Sequence, residues 1–197
     1  MKKTLIITTL LLVCVVQAAW AQKEQFNPVQ HGVTSLMVAP DSRGGGMGDV
    51  GAATDPDVYS QYWNPAKYPF NIARAGLGIS YTPWLRQLVS DMDLAYVSGF
   101  YRIGDYSALS AGLRYFSLGE VGLGEYDQDG NPVNTINPYE MAVDVAYSRM
   151  LSETFSAAVA LRFIYSDLAW NEAEDITPGS AFAADIAFYY NNYILLG

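Results

Sequence analysis

From about residue 75 the chain alternates apolar residues with polar or small ones, and this period of two constrains its fold more than any other feature. Over 92–103 one set reads Met92, Leu94, Tyr96, Ser98, Phe100, and the other reads Asp93, Ala95, Val97, Gly99, Tyr101. Next, Leu109, Ala111, Leu113 and Tyr115 alternate with Ser110, Gly112 and Arg114. Met141, Val143, Val145 and Tyr147 alternate with Ala142, Asp144, Ala146 and Ser148. Further on, Phe155, Ala157, Val159, Leu161, Phe163 and Tyr165 oppose Ser156, Ala158, Ala160 and Arg162. Finally, Phe182, Ala184, Ile186, Phe188 and Tyr190 oppose Ala183, Asp185 and Ala187. Such alternation places each set on one face of a β-strand. Strands of globular proteins run about 5–6 residues; these are about twice as long. At ~3.3 Å per residue and a tilt near 40°, each covers the hydrocarbon thickness of a bilayer. A soluble sandwich would not place Gly, Ala and Ser on the polar face of five strands. The expected fold is all-β: a transmembrane antiparallel β-barrel, here about six strands, with 73–84 as the first.

The connections agree. Gly104-Asp105 reads as a two-residue hairpin turn, and 151–154 as a second tight one. Long loops at 119–139 and 167–180 alternate with them, as expected of an outer-membrane barrel with short periplasmic turns. Pairing Ile103 with Tyr106 sets Leu94 opposite Tyr115, Tyr96 opposite Leu113 and Phe100 opposite Leu109. Centring the other turn on Glu153 sets Val143 opposite Phe163, Val145 opposite Leu161 and Tyr147 opposite Val159. On this register Leu94, Leu113, Val145, Leu161 and Ile186 are predicted to face lipid.

Composition narrows the function. Only 16% of residues are charged, against about 25% in ordinary soluble domains, and the chain carries 15 Tyr, 8 Phe and 4 Trp. That excludes disorder. Twenty acidic against 11 basic residues give a net charge of −9, which argues against a nucleic-acid partner bound through a basic patch. One His (His31, read as an exposed loop residue) and one Cys leave little material for a metal centre or a Cys/His nucleophile. No nucleophile–base–orienter set is visible, so no enzyme activity and no cofactor are expected. Residues 1–21 read as a secretory signal peptide: Lys2 and Lys3, an apolar run, then Ala19-Trp20-Ala21. Its removal takes Cys14 with it. Val13 precedes that cysteine where a lipoprotein would want a small residue.

Residues 22–72 form a Gly-, Pro- and Asp-rich N-terminal plug-like element, expected at the periplasmic mouth or in the lumen. Asp55-Pro56 reads as a helix start and Asn64-Pro65 as its stop. Gly46-Met47-Gly48-Asp49-Val50-Gly51 fits G-x-G-x-x-G. With Pro56 downstream and no βαβ unit, it reads as tight backbone packing rather than a dinucleotide site. Asp127-Gln128-Asp129-Gly130-Asn131 begins like a calcium loop, but Pro132 and Pro138 stand where Gly and Glu are required.

Two further groups of residues are candidates for function. Arg114, Asp144, Arg162 and Asp185 lie mid-strand on the inner face and form a luminal charge ladder, either lining a channel or satisfying itself structurally. Trp84, Leu85, Leu88 and Val89 in one loop, with Leu168 and Trp170 in another, are apolar residues expected at the long-loop end. They read as partner-binding anchors, or, for Trp84 and Trp170, as part of an aromatic girdle.

The string from Pro40 to Thr54, with Gly45, Gly46, Met47, Gly48 and Asp49 at its centre, and then Trp63, Asn64, Pro65 and Ala66, resembles the PorV family. These are outer-membrane proteins of the type IX secretion system of Bacteroidetes. Asn64-Pro65-Ala66 alone is shared more widely by FadL-like barrels, which move fatty acids and other hydrophobic molecules. The resemblance continues through the strands, so 73–197 is taken as the N-terminal portion of such a barrel. It implies a FadL-like protein of the cell outer membrane that collects cargo with a C-terminal sorting domain. Cargo would be taken at the type IX translocon barrel and handed to the surface sortase/attachment complex. The implied partners are those proteins and outer-membrane lipid. It implies no catalytic residues. The family barrel has more than twice as many strands as this chain supplies, and open edges in lipid are costly; a fragment or incomplete gene product is therefore expected. The alternatives are a FadL-like transporter of long-chain fatty acids or other hydrophobic solutes, and a structural half-barrel inactive alone.

Overall fold

A computed structural model describes residues 33–84, 91–122, 133, 135–168 and 178–191. Among the described residues there are eight strands: β1 (Ala75–Pro83), β2 (Met92–Ile103), β3 (Ser107–Leu118), β4 (Val121–Gly122), β5 (Thr135–Ile136), β6 (Tyr139–Met150), β7 (Phe155–Asp167) and β8 (Gly179–Tyr190). Six form one open antiparallel sheet in the order β1-β2-β3-β6-β7-β8. The two-residue strands β4 and β5 pair as a ribbon within the β3–β6 connection. No helix among the described residues is long and apolar enough to cross a membrane.

The β6–β7 register is the expected one, with Val143 opposite Phe163, Val145 opposite Leu161 and Tyr147 opposite Val159. The β2–β3 register is not. Ile103 pairs with Ser107, so the turn holds three residues, Gly104 to Tyr106, with Gly104 at φ +66. One extra turn residue slips the pairing by one and inverts the face of β2. Leu94, predicted to face lipid, is 1% exposed and lies opposite Phe116 on the inner face. Tyr96, Ser98 and Phe100 share that face, while Val97 and Tyr101 turn outward, opposite Leu113 and Leu109. Leu113, Val145, Leu161 and Ile186 are on the bare outer face as expected.

Both faces of β2 carry large side chains because the inner one is covered by protein. Residues 33–72 lie against the inner face, and the small residues of the strands make room for them. A Cβ at Gly76 would come within 2.9 Å of Val58, and one at Gly78 within 2.6 Å. The outer face carries two aromatic rows. Tyr115, Tyr139 and Tyr165 follow one another at 5.6 and 5.9 Å at the long-loop end. Phe155 stacks on Phe188 at 5.8 Å at the short-turn end. Phe155 and Tyr165 are ten residues apart on β7, which is ~33 Å along the strand and ~25 Å in height at a tilt near 40°. That is the height of an apolar band between interfacial girdles.

Candidate functional site

The N-terminal element is built from short pieces, two of them fixed by a side-chain cap, Asp41 and Asn64. A 3-10 turn, Thr34–Met37, comes first. Helix α1 (Ser42–Gly46) follows and was not foreseen from the glycine string. Asp41 caps it: Oδ2 accepts from the Gly44 amide at 2.7 Å, and Oδ1 accepts from Trp63 Nε1 at 2.8 Å. One carboxylate therefore joins the glycine string to the tryptophan. The predicted tight backbone packing exists, but at Gly44 and Gly51. A Cβ on Gly44 would lie 2.7 Å from the indole, and one on Gly51 would overlap it. Gly45, Gly46, Met47, Gly48 and Asp49 are exposed instead. Asp49 is the one non-glycine residue at positive φ (60°) among the described residues.

The second helix, α2, spans Ser60–Trp63 and starts four residues later than Asp55-Pro56 suggested. Asp57 lies just ahead of it. Its Oδ1 accepts from the Tyr59 amide and the Ser60 hydroxyl, both at 3.1 Å, while its own amide donates to Ser60 Oγ at 3.0 Å. Asn64 ends α2 as expected and opens a 3-10 segment, Pro65–Phe70, accepting from the Ala66 amide at 3.0 Å. Asn64 Nδ2 donates to Ala52 O at 3.1 Å and to Phe188 O of β8 at 2.9 Å. Ala66 packs between Ala158 and Tyr189, and its carbonyl accepts from Ser156 Oγ. The Trp-Asn-Pro-Ala motif is thus a joint between the element and the wall.

Lys67 and Tyr68, which end the family-like string begun at Trp63, complete that joint, a role the sequence did not give them. Lys67 is 0% exposed, and its Nζ donates to Gly51 O at 2.7 Å and Thr54 Oγ1 at 3.2 Å. Burial pushes its ammonium pKa down. Tyr68 stacks on Phe100 at 4.7 Å, accepts from the Gln61 amide and donates to Val58 O. Burial pushes its phenol up.

The four ladder charges share the inner face but not one role. Arg114, 3% exposed, donates to Ser35 O and lies 5.5 Å over the Tyr62 ring. Asp144 accepts from Gln61 Nε2 at 3.1 Å and stands opposite Arg162, whose guanidinium is 4.0 Å away. Asp185 pairs in register with Ala160 and is exposed on the edge strand. The hydrogen bonds of Arg114 and Asp144 go to the N-terminal element rather than to the other ladder charges. Glu140, overlooked because it opens a strand beside a loop, accepts from the Ser35 amide at 3.3 Å and from Ser166 Oγ at 3.4 Å.

Of the loop candidates, Trp84 is half-buried and its amide closes the β1–β2 ladder on Met92 O at 2.7 Å. Leu168 is exposed just past β7. Leu85, Leu88, Val89, Trp170, His31, the 127–131 segment and residues 1–21, read as a signal peptide, lie outside the described residues.

The sequence model of the type IX secretion system protein PorV matches residues 21–195. The chain belongs to the PorV family. No curated protein matches it. Membership makes it a component of the type IX secretion system, and this family is consistent with an outer-membrane location. The lipid-length strands and the two aromatic rows are what such a location requires of a wall.

Proposed function

We propose that this PorV-family chain is a non-catalytic shuttle in the outer membrane. It binds cargo bearing a C-terminal sorting domain and passes it from the translocon barrel to the surface sortase complex. The family match across most of the chain carries this reading. The inner face adds support. It is lined with Arg114, Glu140, Asp144 and serine hydroxyls that bond the N-terminal element, a polar and occupied surface rather than the apolar path a fatty-acid transporter needs. Contacts with cargo then fall to the long-loop end, to Trp84, Leu85, Leu88, Val89, Leu168 and Trp170. The test deletes the gene in its own host and follows a sorting-domain protein. Cargo held in the periplasm and restored to the surface by the intact gene supports the shuttle. Normal surface display in the deletion strain rejects it.

A further inference from the structure

The outer face is not uniformly filled. Between the aromatic rows lies a cavity of about 860 Å³ that runs from Leu77 of β1 to Leu161 of β7. Its floor is the register pair Gly99 and Ala111, where two adjacent strands present almost no side chain. It reaches from the Tyr101–Leu109 pair to the Val97–Leu113 pair, ~13 Å along the strands. One leaflet's share of a ~30 Å hydrocarbon core is of similar size.

The rim at the short-turn end is cationic. The Arg74 guanidinium sits 5.7 Å over the Tyr101 ring, on the outer face. Arg149 is exposed on the same face, two residues beyond Tyr147 toward the turn. Neither arginine has an ion-pair partner among the described residues. Tyr147 meets Ser107 Oγ at 3.0 Å between them. Along the strand direction the order is therefore cation, aromatic hydroxyl, apolar depression.

We propose that this groove binds one phospholipid of the leaflet on the short-turn side, with its phosphate at Arg74 and Arg149 and its acyl chains over Gly99 and Ala111. A phosphate followed by hydrocarbon is complementary to that order, whereas an apolar protein patch would leave both arginines unmatched. The inference rests on the sheet being a membrane wall and not on the cargo role, so cargo experiments that fail leave it standing.

The test titrates palmitoyl-oleoyl phosphatidylglycerol into the detergent-purified full chain and reads lipid adducts by native mass spectrometry. Ala111→Phe fills the groove from a position already facing outward. Ala184→Phe, on the outer face of β8 and outside the groove, is the control. The expected result is one tight adduct in the wild type, weakened about tenfold by Ala111→Phe and left unchanged by Ala184→Phe. The double variant Arg74→Gln, Arg149→Gln also weakens it about tenfold, and this variant decides if Ala111→Phe loses heat-modifiable gel mobility. Wild-type affinity in the deciding variant overturns the proposal, as does equal loss in Ala111→Phe and Ala184→Phe.

Discussion

Glu140 and Arg114, on the adjacent strands β6 and β3, grip opposite ends of a single residue: Glu140 accepts the Ser35 N–H, and Arg114 donates to the Ser35 carbonyl. One backbone unit of the N-terminal element is thus bonded by an acid at its N–H and by a cation at its carbonyl. Losing one partner leaves a buried polar group unmet, at about 1–3 kcal/mol. Ser35→Pro removes the N–H without touching the wall. It is expected to raise protease sensitivity before Ser60 while leaving heat-modifiable mobility intact. Unchanged proteolysis would mean that the grip contributes nothing to holding the element.

The glycines of the motif separate into two kinds. Gly51→Ala drives a methyl group into the Trp63 indole, and overpacking of this sort costs about 1–3 kcal/mol. Gly45→Ala meets nothing within 4 Å and replaces a helical glycine, so it is expected to be neutral or to stabilise by about 0.5–1 kcal/mol. Thermal unfolding of the two variants in detergent checks the contrast. Equal effects would place the indole elsewhere.

The inverted face of β2 has a direct chemical readout. Cys14 is the one cysteine in the sequence, and it falls within the expected leader, so single cysteines report cleanly. Val97→Cys is expected to react with a bilayer-soluble maleimide and Leu94→Cys to stay protected. Arginine at Val145 or Ile186 is expected to cost about 2–4 kcal/mol, as on any lipid face. Leu94→Ala costs about 2–5 kcal/mol for a different reason, the cavity it leaves under the N-terminal element. Preferential labelling at Leu94 would restore the two-residue turn.

Asp144 has two partners of unequal weight. Double-mutant cycles are expected to give a larger coupling for Asp144 with Gln61, bonded at 3.1 Å, than for Asp144 with Arg162 at 4.0 Å. Reversing both charges of the Asp144–Arg162 pair should harm assembly less than reversing either alone, but the double reversal still leaves Gln61 without its acceptor. Full recovery would show the ladder to be independent of the element.

Lys67 and Tyr68 give the alkaline side a defined sign. The lowered Lys67 pKa means the unfolded chain binds more protons between that pKa and about 10.4, so stability rises with pH across this window. The raised Tyr68 pKa works in reverse: above about 10 the folded chain holds the extra proton, and stability falls as pH rises further. Unfolding midpoints from pH ~7 to ~11 should lose the rising limb in Lys67→Met and weaken the falling limb in Tyr68→Phe. Identical profiles in all three proteins would exclude both groups.

The wall was legible where two signals agreed. In β6 and β7 the alternation and the tight turn at Glu153 fix the same register, and the Asp144–Arg162 juxtaposition follows from it. In β2 the turn signal failed: the turn holds three residues, Gly104 to Tyr106, and not two, so the alternation was set on the wrong face. Leu94, Tyr96 and Phe100 look like a lipid face, yet they are buried from within, where Tyr59 and Tyr62 meet Tyr96 and Tyr68 stacks on Phe100. Periodicity reports that a face is buried, not what buries it. The N-terminal element was legible as a motif but not as geometry. Asp41 joins the nearby Gly44 amide to Trp63, 22 residues on, and the element's bonds to Glu140 and Phe188 cross more than a hundred residues. No local pattern carries such pairings.

Those long separations bear on the order of assembly. The element touches both margins of the sheet: Tyr59 donates to Ile79 O in β1, and Asn64 to Phe188 O in β8, 124 residues further along. The stretch made first thus cannot reach its final partners until the last described strand exists, and contacts of such separation are slow to close. Once closed, they act as a gauge. The width of the element between Tyr59 and Asn64 sets how far apart the first and last strands of the sheet stand.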